Sequence, residues 1–67
     1  MLKDLRKNKR FTQTFIADKL NISRDRLNRI ETGQVDLPAR FIPILSKLYN
    51  VSELEIIKIS KEGYNGR

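Results

Sequence analysis

The sequence predicts an all-helical domain, compact and built from five short helices. Three observations carry this. The apolar residues recur at helical spacing throughout, and no run alternates with period two for long enough to make a strand. Serine or threonine stands ahead of three of the apolar segments, where a hydroxyl caps a helix well. A chain of 67 residues buries only about 60% of the surface its unfolded form exposes, which leaves room for one modest core.

Leu2 and Leu5, at i, i+3, define a first helix over about residues 2–8. Thr12 caps a second, over 13–20, with Ile16, Ala17 and Leu20 on one face. Ser23 caps a third, over 24–31, with Leu27 and Ile30 turned inward. Residues 32–38 read as a loop, because Gly33 ends a helix and Pro38 precedes a new one. The fourth helix spans about 40–49, with Ile42, Leu45, Leu48 and Tyr49 as its buried side. Pro43 has no N–H to donate, so it must lie near the helix start. Ser52-Glu53-Leu54-Glu55 is a capping box opening a fifth helix to about Ile59. The domain is expected over 1–60, with 61–67 as a flexible tail.

Charge is distributed unevenly. Residues 1–29 hold nine Lys/Arg against three Asp, whereas residues 30–67 hold five of each sign. That asymmetry points to a polyanion met by one half of the molecule. Other classes are poorly served. The chain has no Cys and no His, so it lacks a thiolate site, the commonest general base and the commonest metal ligand. Its carboxylates are scattered singly, and no nucleophile–base pair, metal site, cofactor or small-molecule ligand is implied. No apolar run approaches the ~18 residues that span a membrane, nor is there a signal-peptide core, so a cytoplasmic protein is expected.

The strongest pattern lies within residues 13–32. Two helices packed across a tight turn need a small residue at their closest approach, and Ala17 stands there. The turn needs a residue that tolerates the left-handed region, and Asn21 is second only to glycine. Ile16 and Leu20, Ile22, then Leu27 and Ile30 supply apolar groups from both sides of the angle. With Leu27 and Ile30 inward, Arg24, Asp25, Arg26, Asn28 and Arg29 are left on the outer face of the third helix. The alternative reading of these charges is an ordinary solvated face, but few opposite charges accompany them.

These residues resemble the helix-turn-helix domain of the lambdoid phage repressors and Cro proteins, the Cro/C1 or Xre-like family. The likeness rests on Thr12-Gln13, Ile16-Ala17, Leu20, Asn21-Ile22-Ser23, Ile30-Glu31-Thr32-Gly33 and Leu48-Tyr49-Asn50-Val51-Ser52, and covers roughly residues 2–57. Asn21 and Asn50 replace the usual glycine, and Pro43 interrupts an ordinarily aliphatic stretch. The resemblance implies a double-stranded DNA partner, with the helix over 23–31 in the major groove. Arg24, Asp25, Arg26, Asn28 and Arg29 are then the candidate base contacts, because arginine grips guanine O6 and N7 bidentately. Thr12, Gln13, Ser23, Lys9, Arg10, Gln34 and Arg40 are the candidate phosphate contacts, Gln13 through its amide and a helix N-terminus. The likeness also implies that Arg6 and Glu31 form a structural ion pair.

A homodimer is expected, since one short helix reads few base pairs. Phe41, Ile56 and Ile59 are its candidate surface, and Phe15 is expected to cover the core rim. A repressor on a palindromic operator, bacterial or carried by a phage or plasmid, is the leading expectation. The alternative is a DNA-binding antitoxin of a toxin–antitoxin pair, for which the short tail is unfavourable.

Overall fold

A computed structural model describes the backbone of residues 1–65 and the side chains of residues 1–61. It contains α1 (Leu2–Asn8), α2 (Gln13–Leu20), α3 (Arg24–Glu31), a 3₁₀ turn (Ala39–Phe41), α4 (Ile42–Tyr49) and α5 (Glu53–Asn65). There is no strand among the described residues. The first three helices begin and end where the sequence places them.

Hydroxyl caps fix three of the starts. Thr12, Ser23 and Ser52 each accept from the backbone N–H three residues on, those of Phe15, Arg26 and Glu55, at 3.1 Å. The ends are set by left-handed residues. In α3, Gln34 N–H reaches the Arg29 carbonyl at 2.9 Å and Gly33 N–H the Ile30 carbonyl at 3.3 Å, a Schellman closure around Gly33 at φ 83°. The same pair of bonds closes α2 around Asn21 (φ 59°), and Asn50 (φ 57°) ends α4 in the same backbone region.

The α1 end closes with the same pair of bonds, but around an arginine. Phe11 and Arg10 donate to the carbonyls of Arg6 and Lys7, so Arg10 occupies the left-handed position, at φ 66°. An arginine there crowds its Cβ against the backbone, at a cost of about 1–2 kcal/mol. Arg10→Gly should therefore stabilise the fold by about 0.5–1 kcal/mol, net of glycine's greater unfolded freedom. Thermal unfolding should show a Tm rise of about 2–8 °C; a fall would mean that the arginine side chain holds the turn through a contact of greater value.

Two helix boundaries depart from the sequence reading. The fourth helix is not continuous from 40. In a helix starting there, Pro43 would occupy the first position that must donate to an intrahelical carbonyl, and it cannot. Residues 39–41 instead close as a 3₁₀ turn, with Phe41 N–H on the Pro38 carbonyl and Ile42 N–H on that of Ala39, and Pro43 falls in the first turn of α4. The fifth helix runs to Asn65 rather than Ile59, so residues 61–65 are helical where a tail is expected. Apolar periodicity fades after Ile59, but Lys61 and Glu62 are good helix formers, and Gly63 costs only about 1 kcal/mol. Residues 66–67 of that expected tail lie outside the described residues.

The core consists of Leu2, Ile16, Ala17, Leu20, Leu27, Ile30, Phe41, Leu45, Tyr49 and Ile56. This corrects the expected dimer surface. Phe41 is 2% exposed and Ile56 is wholly buried. Phe41, Leu45 and Tyr49 lie four residues apart on one helical stripe, and Ile56 stands at the centre of the buried side of α5, so both are core by phase. The third residue of that set, Ile59, is half-buried and lines an open groove against α1 with Met1, Asp4, Leu5 and Asn8. Leu45 and Tyr49 are buried as expected, whereas Ile42 and Leu48 pack against the core only in part.

Candidate nucleic-acid interface

The α2–turn–α3 unit is held by apolar contacts from both helices. Ile16, Ala17 and Leu20 are buried beneath α2, Leu27 and Ile30 beneath α3, and Ile22 is half-buried in the turn. Ala17, at 3% exposure, lets the two backbones approach, and Asn21 reverses the chain in the left-handed region.

Burying that seam leaves the other side of α3 to solvent. Arg24, Asp25, Arg26, Asn28 and Arg29 are all exposed; Arg24, Asp25 and Asn28 share one open groove and Asp25 meets Arg29, whereas Arg26, two residues from both Arg24 and Asn28, points to the other flank of α3. Asp25 pairs with Arg29 one turn on, Oδ2 to Nη2 at 3.2 Å. Such an exposed pair adds little stability, but it limits the directions the guanidinium can take. Gln13, Arg24, Asp25 and Asn28 line an open groove between the start of α2 and α3.

A buried ion pair sets the position of α3 from beneath. Arg6 Nε donates to Glu31 Oε2 at 2.7 Å, and both side chains are nearly sealed from water. Arg6 Nη1 also donates to the Phe11 carbonyl at 2.9 Å. One guanidinium thus joins α1, the following turn and the end of α3. The second Glu31 oxygen accepts from Gln13 Nε2 at 3.2 Å, and the same nitrogen donates to Asn28 Oδ1 at 3.3 Å. Among the described side chains, no buried nitrogen or oxygen lacks a partner. The Tyr49 phenol is within electrostatic reach of this cluster. Burial, and then the Glu31 carboxylate, push its pKa well above the ordinary tyrosine value, while Arg6 opposes them, so the phenol stays protonated.

The candidate phosphate contacts surround this surface unequally. Thr12 and Ser23 are exposed, and each accepts a cap bond while keeping its own O–H free to donate. Lys9, Arg10, Gln34 and Arg40 are exposed, and Arg40 stacks its guanidinium 4.7 Å from the Phe41 ring centre. Gln13 departs from expectation. Its amide hydrogens point at Glu31 and Asn28, so the side chain is not presented as a phosphate donor. No sequence signal foretold this, because Gln13 and Asn28 lie 15 residues apart on different helices. Phe15 is 40% exposed and stacks on Phe11, ring centres 5.2 Å apart, with Lys19 Nζ 5.2 Å from its ring centre. Phe11 in turn meets Tyr49 at 5.9 Å, which makes Phe15 the outermost of three rings rising from the core.

A family model described as helix-turn-helix matches residues 2–56. The chain belongs to the Cro/C1-type helix-turn-helix family. No curated protein and no solved structure matches it. Helix-turn-helix domains of this type are DNA-binding regulators and not an enzyme family, which agrees with a surface that offers arginines and hydroxyls. No helix among the described residues is long and apolar enough to cross a membrane.

Proposed function

We propose that the protein is a sequence-specific transcriptional repressor that binds a palindromic operator as a homodimer, with α3 in the major groove. The observation that carries this reading is the set of exposed arginines, Arg24, Arg26 and Arg29, on a helix anchored from below by the buried Arg6–Glu31 pair. A helix of eight residues is about 12 Å long, comparable to the width of the major groove. Arg24 and Arg29 grip guanine edges, Asp25 holds Arg29 in place, and Arg26 and Asn28 complete the reading surface. Thr12, Ser23, Lys9, Arg10, Gln34, Arg40 and the free N–H groups at the start of α2 hold the flanking phosphates, which sets register without reading sequence.

One such helix spans only a few base pairs, so a unique operator requires two copies. On α4 and α5 the exposed large apolar side chains are Ile44 and Leu54, and with the half-buried Ile59 they serve the dimer contact in place of Phe41 and Ile56. Occlusion of a promoter needs no further surface, which favours repression over activation.

Selection of bound sequences from random duplexes, repeated over a range of salt, tests the proposal. The expected result is a two-fold symmetric consensus rich in guanine, its half-sites about 10 base pairs apart. Affinity should fall with a log–log salt slope of about −0.9 per neutralised phosphate. Equal binding to every duplex would overturn the sequence-specific claim, and a single unrepeated half-site would overturn the dimer.

A further inference from the structure

Among the described residues, the left-handed backbone region holds Asn21, Gly33, Asn50 and Arg10. Glycine and asparagine suit that region. Arginine does not, because its Cβ crowds the backbone and its long side chain cannot bond locally as an asparagine does. No side-chain contact offsets this strain. Arg10 is exposed, and its guanidinium makes no hydrogen bond, ion pair or ring contact with the described residues. Strain kept at an exposed position, without a partner inside the fold, points to a use outside it.

The turn that carries Arg10 is also tied to α3. Phe11, the next residue, donates its N–H to the Arg6 carbonyl at 3.2 Å, and its own carbonyl accepts from Arg6 Nη1 at 2.9 Å. The Nε of the same guanidinium holds Glu31, the last residue of α3, at 2.7 Å. Two residues beyond Arg10, Thr12 caps α2, whose first residue, Gln13, lines the groove with Arg24 and Asn28. One buried arginine thus fixes the strained turn relative to the outer surface of α3.

We infer that Arg10 is a phosphate clamp, aimed by its left-handed backbone and held at a fixed offset from α3 by Arg6, so that the fold gives up stability at this residue in return for DNA affinity. The inference rests on the proposed placement of α3. It sets Arg10 apart from Lys9, Gln34 and Arg40, none of which has a left-handed backbone. A guanidinium grips two phosphate oxygens through parallel N–H bonds. Mounted on a fixed turn, it also loses less freedom on binding than the same side chain on a mobile one. Phosphate contacts carry no sequence information directly, so Arg10 governs how tightly a duplex is held and not which duplex is chosen.

The test compares the wild type with Arg10→Gly, Arg10→Asn and Arg10→Lys, by thermal unfolding and by binding to mixed-sequence and selected duplexes over a range of salt. Arg10→Gly and Arg10→Asn should both raise Tm. They should nevertheless bind every duplex about tenfold more weakly, the factor carried by roughly one charge-assisted hydrogen bond. The log–log salt slope should become shallower by about 0.9, one phosphate's worth, with every base preference kept. Arg10→Lys keeps both the charge and the strained backbone, and should keep the Tm and the salt slope of the wild type. Unchanged affinity in Arg10→Gly would overturn the clamp. So would weaker binding at an unaltered salt slope, which would assign the loss to a loosened turn, or a lower Tm in both uncharged variants, which would make Arg10 a residue of the fold. If the wild type shows no base preference while Arg10→Gly still lowers affinity and slope, the operator reading fails and the clamp stands, so the two failures are distinguishable.

Discussion

Replacing Glu31 with alanine should unfold much of the protein at moderate temperature. The substitution leaves the Arg6 guanidinium buried without its counter-charge, and breaking one side of a buried pair costs about 3–5 kcal/mol. A folded chain of this length has a total stability of roughly 3–10 kcal/mol, so the loss is comparable to the whole. Circular dichroism should show Tm lowered by about 15–30 °C. Removing both charges together, as Arg6→Met with Glu31→Leu, should recover most of that stability, because a well-packed apolar pair replaces a buried ion pair at little net cost. A cost below about 1 kcal/mol for Glu31→Ala would show that the pair behaves as an exposed bridge.

Phe41→Ala is expected to be nearly as damaging, for a different reason. Phe41 is 2% exposed and continues the stripe of Leu45 and Tyr49, so its removal opens a cavity under the 3₁₀ turn. Truncating a buried phenylalanine costs about 3–5 kcal/mol. Denaturant unfolding should show this loss equally at low and high protein concentration, with the oligomeric state of the folded fraction unchanged. A loss that shrinks as concentration rises would return Phe41 to a subunit interface. Leu54→Ala provides the contrast: its largely exposed position predicts a change of no more than about 0.5 kcal/mol in the stability of one subunit.

The correction at Phe41 shows which inferences were safe at the sequence level. Its position on the Leu45–Tyr49 stripe was legible from the i, i+4 spacing alone. The expectation of exposure came from assigning Phe41 to a dimer surface, and phase proved the better guide. Pro43 was equally legible as a first-turn residue, but the need for a separate 3₁₀ turn ahead of it depended on how the loop over 32–38 delivers the chain to α4. The Arg6–Glu31 pair came from the resemblance and not from spacing, since its members are 25 residues apart. Arg10 carried no sign of its left-handed backbone, because arginine has no preference for that region and only the closure of α1 against Phe11 imposes it.

What the sequence alone determined is what local physics controls. The hydroxyls of Thr12, Ser23 and Ser52 started their helices, Asn21, Gly33 and Asn50 ended theirs, and the spacing of Ile16, Ala17, Leu20, Leu27 and Ile30 divided α2 and α3 into an inner seam and an outer set of exposed arginines. Each of these signals acts over five residues or fewer within its own helix. Only the tertiary structure decided that Phe41 and Ile56 belong to the core and that Gln13 turns its amide inward to Glu31 and Asn28. Those outcomes depend on which groups meet across helices, and a hydrogen bond between residues 15 or 18 positions apart leaves no periodic trace in the chain.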